Sequence, residues 1–176
     1  PESGDGAGIL VSTPKRFLKR VFPEVDAALI DDEAVFVAQV FLPRAGSSME
    51  QAEQAWLSAL GRTEMVVLGR RDLPTRSSVL GQIARSNEPR MVQYLVGMAG
   101  AGTATEGADG GLSPDQQAFL ARKRVERAWR GLGLEEAYVA SFSRQTVVYK
   151  GMLTVDQLGL YFEDLGAADF EAHVAM

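Results

Sequence analysis

Apolar side chains recur at helical spacing over several segments, and short continuous apolar runs separate them, a pattern that predicts helices interleaved with strands. Ile9-Leu-Val11 reads as a short strand. It leads into a helix from Pro14, with Thr13 as N-cap and Phe17, Leu18, Val21 and Phe22 as the buried stripe; Pro23 closes it. Ala34 to Leu42 is β-branched and aromatic between acidic residues and Pro43, so a buried strand is expected. Ser47-Ser-Met-Glu50 predicts a capping box for a helix carrying Ala52, Ala55, Trp56, Ala59 and Leu60 on one face, with Gly61 as its C-terminal cap. Met65 to Gly69 and Met91 to Gly97 are two further strands, separated by an irregular stretch.

From Ala99 to Gly111 the chain is rich in glycine and poor in anything that could be buried, which predicts a flexible surface loop at 99–111. Ser113-Pro-Asp-Gln116 opens a helix with a second capping box. Ala118, Ala121, Val125, Ala128 and Trp129 share its inner face, and Gly131 and Gly133 end it. Tyr138 to Met152 predicts one long strand, and Thr154-Val-Asp-Gln157 caps a last helix containing Leu158, Tyr161, Phe162 and Leu165. Asp169 to Met176 reads as an amphipathic helix or a strand approach, with Phe170 and Val174 four apart. No internal repeat emerges. Pattern alone gives an α/β or α+β domain.

Composition adds limits. At 176 residues and 46% hydrophobic content the chain can bury a real core, and 23% charged residues is ordinary for a soluble cytosolic domain. The net charge of −5 argues against non-specific attraction to nucleic acid or an anionic membrane. No apolar run approaches the roughly 18 residues that span a bilayer. Without cysteine, the segment can hold neither a disulfide nor a thiolate metal site.

Few residues offer chemistry of their own. The turn Gly4-Asp-Gly-Ala-Gly8 could present backbone N–H groups to an anion, yet it lacks both dinucleotide and P-loop spacing, and a tight turn needing positive φ is the plainer reading. His173 is the only histidine, which leaves little room for histidine metal sites or Ser-His-Asp catalysis and makes a surface or packing residue the plainer reading. Arg122, Lys123, Arg124, Arg127 and Arg130 crowd the second half of one helix. Cations there favour the C-terminal dipole, and Glu126 interrupts them, so a solvated face is expected, with interdomain ion pairs as the other reading. Along the last long strand Ser143, Gln145, Val147 and Tyr149 alternate with Phe142, Arg144, Thr146, Val148 and Lys150. Neither set is purely apolar. Its polar members either line a site or satisfy structural hydrogen bonds.

Two motifs at opposite ends carry a resemblance. Ser3-Gly-Asp-Gly-Ala-Gly-Ile-Leu10 and Ser141-Phe-Ser-Arg-Gln-Thr-Val-Val-Tyr-Lys-Gly-Met-Leu153 resemble the GDGAG turn and the SLSSRTIVYKGML-like strand of the amidotransferase domain of glutamate synthase large subunits. Between them Phe41-Leu-Pro43, Val66 to Pro74, Ser78 to Arg85, Asn87 to Gln93 and Ala118 to Arg124 are similar to further family segments, in family order. Arg144 and Gln145 depart from the usual pattern, whereas Tyr149-Lys-Gly151 matches fully.

The resemblance implies an α+β fold: part of the N-terminal-nucleophile hydrolase architecture, a four-layer αββα sandwich, with residues 1–176 all within one type-2 glutamine amidotransferase domain. It implies that the parent hydrolyses glutamine with an N-terminal cysteine and passes ammonia to 2-oxoglutarate. It further implies FMN and a 3Fe-4S cluster elsewhere in that parent, with NADPH, NADH or ferredoxin as electron source. Expected partners are the remaining domains of the same large subunit and a small NADPH-oxidising subunit, with no nucleic acid and no membrane, in the cytoplasm. No cofactor is expected in this segment. Both ends read as interior to a longer chain, and the segment alone is expected to lack a catalytic residue, being without the cysteine. Asp5, Gly6 and Lys150 are expected near the site as support. The alternative is a non-catalytic binding or scaffold protein derived from the same domain.

Overall fold

The computed structural model describes residues 6–44, 46–99, 112–173 and 175–176. Its centre is β2 (Phe36–Leu42), a strand buried along almost its whole length because every side chain but Gln39 is apolar. Such a strand needs cover on both faces. It is flanked by antiparallel β4 (Arg90–Met98) and β5 (Tyr138–Ser143), and β3 (Met65–Asp72) completes a four-stranded sheet in the order β3-β4-β2-β5. A second antiparallel pair joins β1 (Ala7–Ser12) to β6 (Thr146–Gly151).

Two cores follow from the two faces of the larger sheet. On one face Phe36, Ala38, Val40, Tyr94 and Val96 meet Trp56 of α3 (Ser47–Leu60) and Val125 and Trp129 of α5 (Pro114–Gly131). The Trp129 indole donates to the Ala52 carbonyl at 2.9 Å, tying the two helices together. On the other face Val37, Met91 and Leu95 pack with Val11, Val147 and Tyr149 of the smaller sheet. That core also takes Phe17 of α1 (Lys15–Val21) and Phe22 at its C-terminal end, Ile30 of α2 (Ala27–Asp31), Ala84 of α4 (Gln82–Ser86) and Tyr161 of α6 (Val155–Tyr161). The result is a layered α+β sandwich with antiparallel sheets, as the sequence predicts.

Local chemistry departs from expectation at four places. The stretch expected as one strand over 138–152 is two, belonging to different sheets. Ser143 Oγ accepts from the backbone N–H of Gln145 at 3.1 Å and of Thr146 at 3.4 Å, so the serine closes a turn that lets the chain change sheets. Thr13 does not cap α1, which starts two residues later; its hydroxyl donates to the Arg144 carbonyl at 2.8 Å and pins that same turn. Ser47 forms no capping box because α3 starts on Gly46 as N-cap, with φ +77°, placing Ser47 already inside the helix. The stretch between β3 and β4 holds α4 and a 3₁₀ turn at Ser77–Val79.

The second capping box forms as expected: Ser113 and Gln116 exchange reciprocal bonds at the start of α5. Before α6, Thr154 N–H donates to Gln157 Oε1 at 2.9 Å. At the end of the chain Ala175 bridges antiparallel to Val11, the strand-like half of the expectation for that segment. Of the expected surface loop at 99–111, residues 100–111 lie outside the described ones.

Candidate functional site

The β1–β6 ladder sets Gly8 directly across from Lys150, and one side of it opens onto a cavity of about 660 Å³. Gly6, Gly8, Phe41, Arg44, Tyr138 and Lys150 are among the residues lining it. Gly8 is required by closeness: a Cβ there would lie 2.7 Å from Lys150 Cβ and 3.0 Å from the Tyr149 carbonyl oxygen. Gly6 takes φ +137°, a conformation side chains disfavour. Gly6 and Lys150 therefore share one cavity, while Asp5 lies outside the described residues.

Lys150 Nζ donates to the Tyr138 hydroxyl and sits 4.3 Å from the centre of that ring. The Tyr138 ring in turn meets Phe41 edge to face, with centroids 5.5 Å apart. Burial lowers the Lys150 pKa from the ordinary lysine value, and the positive charge of Arg122 acts in the same direction. At the cavity margin the Glu88 carboxylate is already engaged, accepting from Tyr161 at 2.7 Å and Ser77 at 2.9 Å.

A second polar constellation lies buried between the sheets. Arg71 Nη1 donates to Asp164 Oδ1 at 3.1 Å, Nη2 donates to Oδ2, and Nε donates to Gln93 Oε1 at 2.9 Å. Tyr149 donates its hydroxyl to Asp164 Oδ2 at 3.0 Å, and Gln93 Nε2 donates to Gln39 Oε1 at 3.0 Å. Burial and the Asp164 charge push the Tyr149 phenol far above its ordinary pKa, so it stays a protonated donor. The Arg71 guanidinium also lies 5.3 Å from the Phe17 ring centre and 5.6 Å from that of Phe22. Sequence reasoning did not select this network. Its signal was the pair of glutamines within otherwise apolar strands, since a polar residue at such a position needs a partner inside.

The remaining sequence candidates line neither, although the Arg122 charge reaches Lys150. Arg122 and Lys123 bond Glu126, Arg124 bonds the Arg62 carbonyl, and the face carrying Lys123, Arg124, Arg127 and Arg130 is exposed. His173 is exposed, and its backbone N–H donates to Ser12 Oγ at 2.8 Å. Among the described residues no group of three or more His, Asp or Glu is placed to hold a metal, and no helix is long and apolar enough to cross a membrane.

Two antiparallel sheets packed on a shared core, with helices against the larger one, agree with the layered sandwich that the resemblance implies. The family model for class-II glutamine amidotransferases matches residues 1–176, and the chain belongs to that family. Its relatives agree with the resemblance carried by the two terminal motifs. The chain is 34% identical over 176 residues to ferredoxin-dependent glutamate synthase 2 of Synechocystis sp., covering 99% of this chain and 10% of that protein. It is 29% identical to the glutamate synthase [NADPH] large chain of Azospirillum brasilense, covering 99% of this chain and 11% of that protein. With the corresponding Bacillus subtilis large chain it shares 30% identity, covering 100% of this chain and 11% of that one. The chain thus spans about a tenth of the length of these glutamate synthases.

Proposed function

We propose that these residues form the interior of the glutaminase domain of a cytoplasmic glutamate synthase, whose whole hydrolyses glutamine and delivers the ammonia to 2-oxoglutarate. The observation that carries this reading is the match of the amidotransferase family along the full chain, joined to the Tyr149-Lys-Gly151 strand. The family resemblance assigns amide attack to a cysteine thiolate, with preorganised donors at the oxyanion. These 176 residues contain no cysteine, so their own task is to build the walls and the rigid frame on which such a site rests. Without that side chain they cannot hold a 3Fe-4S cluster either. The cluster and FMN, which would supply the electron-transfer chemistry, belong to other domains, as do the contacts with a small NADPH-oxidising subunit.

The test is to sequence the coding region outward from both ends, then assay glutamine hydrolysis by the segment alone and by the longer product. A cysteine upstream, glutaminase activity in the longer protein and none in the segment are expected. A longer protein with no such cysteine and no glutaminase activity would overturn the reading in favour of a binding or scaffold protein.

A further inference from the structure

Four lysines occur in the chain, and three of them face carboxylates. Lys15 pairs with Glu33 at 3.0 Å, Lys123 with Glu126 at 2.9 Å, and Lys19 with Asp31. Lys150 is different: no carboxylate among the described residues pairs with it, its nearest polar partner is the Tyr138 hydroxyl, and the cation it feels is Arg122. It is also the lysine that opens into the cavity of about 660 Å³, a volume within the range of small-molecule sites. Leu10, Phe41, Val148 and Met152 give that cavity apolar walls, and the Tyr138 hydroxyl stands at the amine.

We propose that Lys150 is a covalent ligand site, an amine that condenses with a small aldehyde bearing a compact apolar body which the Phe41, Leu10 and Val148 walls hold. In the step, the neutral amine nitrogen forms a bond to the carbonyl carbon. The carbonyl oxygen leaves as water with the two amine hydrogens, and an imine remains; nothing is oxidised or reduced. The Tyr138 hydroxyl touches the amine and is the group placed to hand a proton to the departing oxygen. Burial and the charge of Arg122 shift Lys150 toward the neutral, nucleophilic amine relative to an ordinary lysine. The inference rests on the cavity and its lysine and is independent of the glutamate synthase reading.

The experiment is competitive reductive alkylation near pH 7 with limiting benzaldehyde and cyanoborohydride, followed by site-resolved mass spectrometry. Lys15, Lys19 and Lys123 serve as internal standards, formaldehyde as a probe without an apolar body, and buried-tryptophan emission as the check of folding. With benzaldehyde, Lys150 should react at least about threefold faster than each ion-paired lysine, as expected of a desolvated amine. The advantage should shrink with formaldehyde and be lost in guanidinium. Tyr138→Phe keeps the aromatic wall and should slow Lys150 alone. Labelling of the same segment within a longer parent reads the site if the isolated chain loses its fold in the assay. Equal or slower labelling of Lys150, or the same advantage with both aldehydes, would overturn the proposal.

Discussion

Arg71 and Asp164 stand 93 positions apart in the chain and meet as a two-pronged ion pair between the sheets, with Asp164 only 4% exposed. Arg71 comes from β3 of the larger sheet and Asp164 from the 3₁₀ turn Glu163–Gly166 that follows α6. The pair therefore clamps the end of the chain onto the sheet. Burying either charge alone is costly, and breaking such a pair by removing one partner usually costs about 3–5 kcal/mol. Arg71→Met and Asp164→Asn should each lower stability in urea unfolding by roughly that amount. The double variant should cost less than the sum of the two, because it leaves no unpaired buried charge. Additive losses would show that the two residues do not act as a pair.

A second expectation concerns the tie between the long helices. Trp129 is 2% exposed and donates to the Ala52 carbonyl. Trp129→Phe keeps most of the apolar area and removes the donor, so a loss of about 1–2 kcal/mol is expected. Trp129→Ala should cost about 3–5 kcal/mol through the cavity it leaves. Thermal melts of both variants test the ranking: no loss in Trp129→Phe would mean that the indole N–H contributes nothing, and equal losses in both would mean that the retained ring area contributes nothing.

Steric fit at Gly8 gives a third. A methyl group there meets Lys150 Cβ and the Tyr149 carbonyl oxygen, and both are parts of the opposing strand that cannot swing aside. Gly8→Ala should destabilise by about 1–3 kcal/mol, the usual cost of overpacking. Gly159→Ala, where an added Cβ meets nothing within 4 Å, serves as the comparison on a helix and should be neutral or slightly stabilising. Unfolding midpoints decide, and equal midpoints for the two variants would contradict the close approach of the strands.

Acid should weaken the contact between α3 and the larger sheet. Burial raises the Glu53 carboxyl, but hydrogen bonds from Arg70 and Tyr94 outweigh it and leave the group below its ordinary pKa. At Asp72 the hydrogen bond from Arg90 comes first and prevails over burial, with the same net direction. A carboxylate whose pKa is depressed by folding stabilises above its unfolded value, and that contribution disappears as pH falls through the folded value. Stability should therefore hold at neutral pH and decline below about pH 4.5. Asp72 is 49% exposed and solvent screens it, so Glu53 should dominate. Glu53→Gln should flatten the decline in melting temperature between neutral and acid pH; an unchanged slope would show that the decline arises elsewhere.

Much of the frame was legible from the chain alone. The apolar run of β2, the spacing of Trp56 in α3 and of Val125 and Trp129 in α5, and the reciprocal box of Ser113 and Gln116 are local signals, and local signals are what a sequence pattern contains. The missed Ser47 box was a local shift of the helix start onto Gly46, whereas other failures arose where tertiary context overrode the local signal. Thr13 reads as a helix cap, but its hydroxyl finds the Arg144 carbonyl 131 positions away. Ser143 sits in an unbroken β-forming stretch, and only the need of β5 and β6 to serve different sheets turns it into a corner.

The sequence by itself determined most strands and the main helices, and, through motifs that keep their order from Ser3 to Leu153, the family and with it the class of fold. Tertiary structure alone decided that Arg71, Gln93, Tyr149 and Asp164 form one buried network, and that Gly6 and Lys150 share a cavity. The physical reason is the range of the forces. Periodicity, capping and turn chemistry act within a few residues and leave their mark in order along the chain, whereas the pairing of buried charge and the closeness of opposed strands depend on where the chain returns.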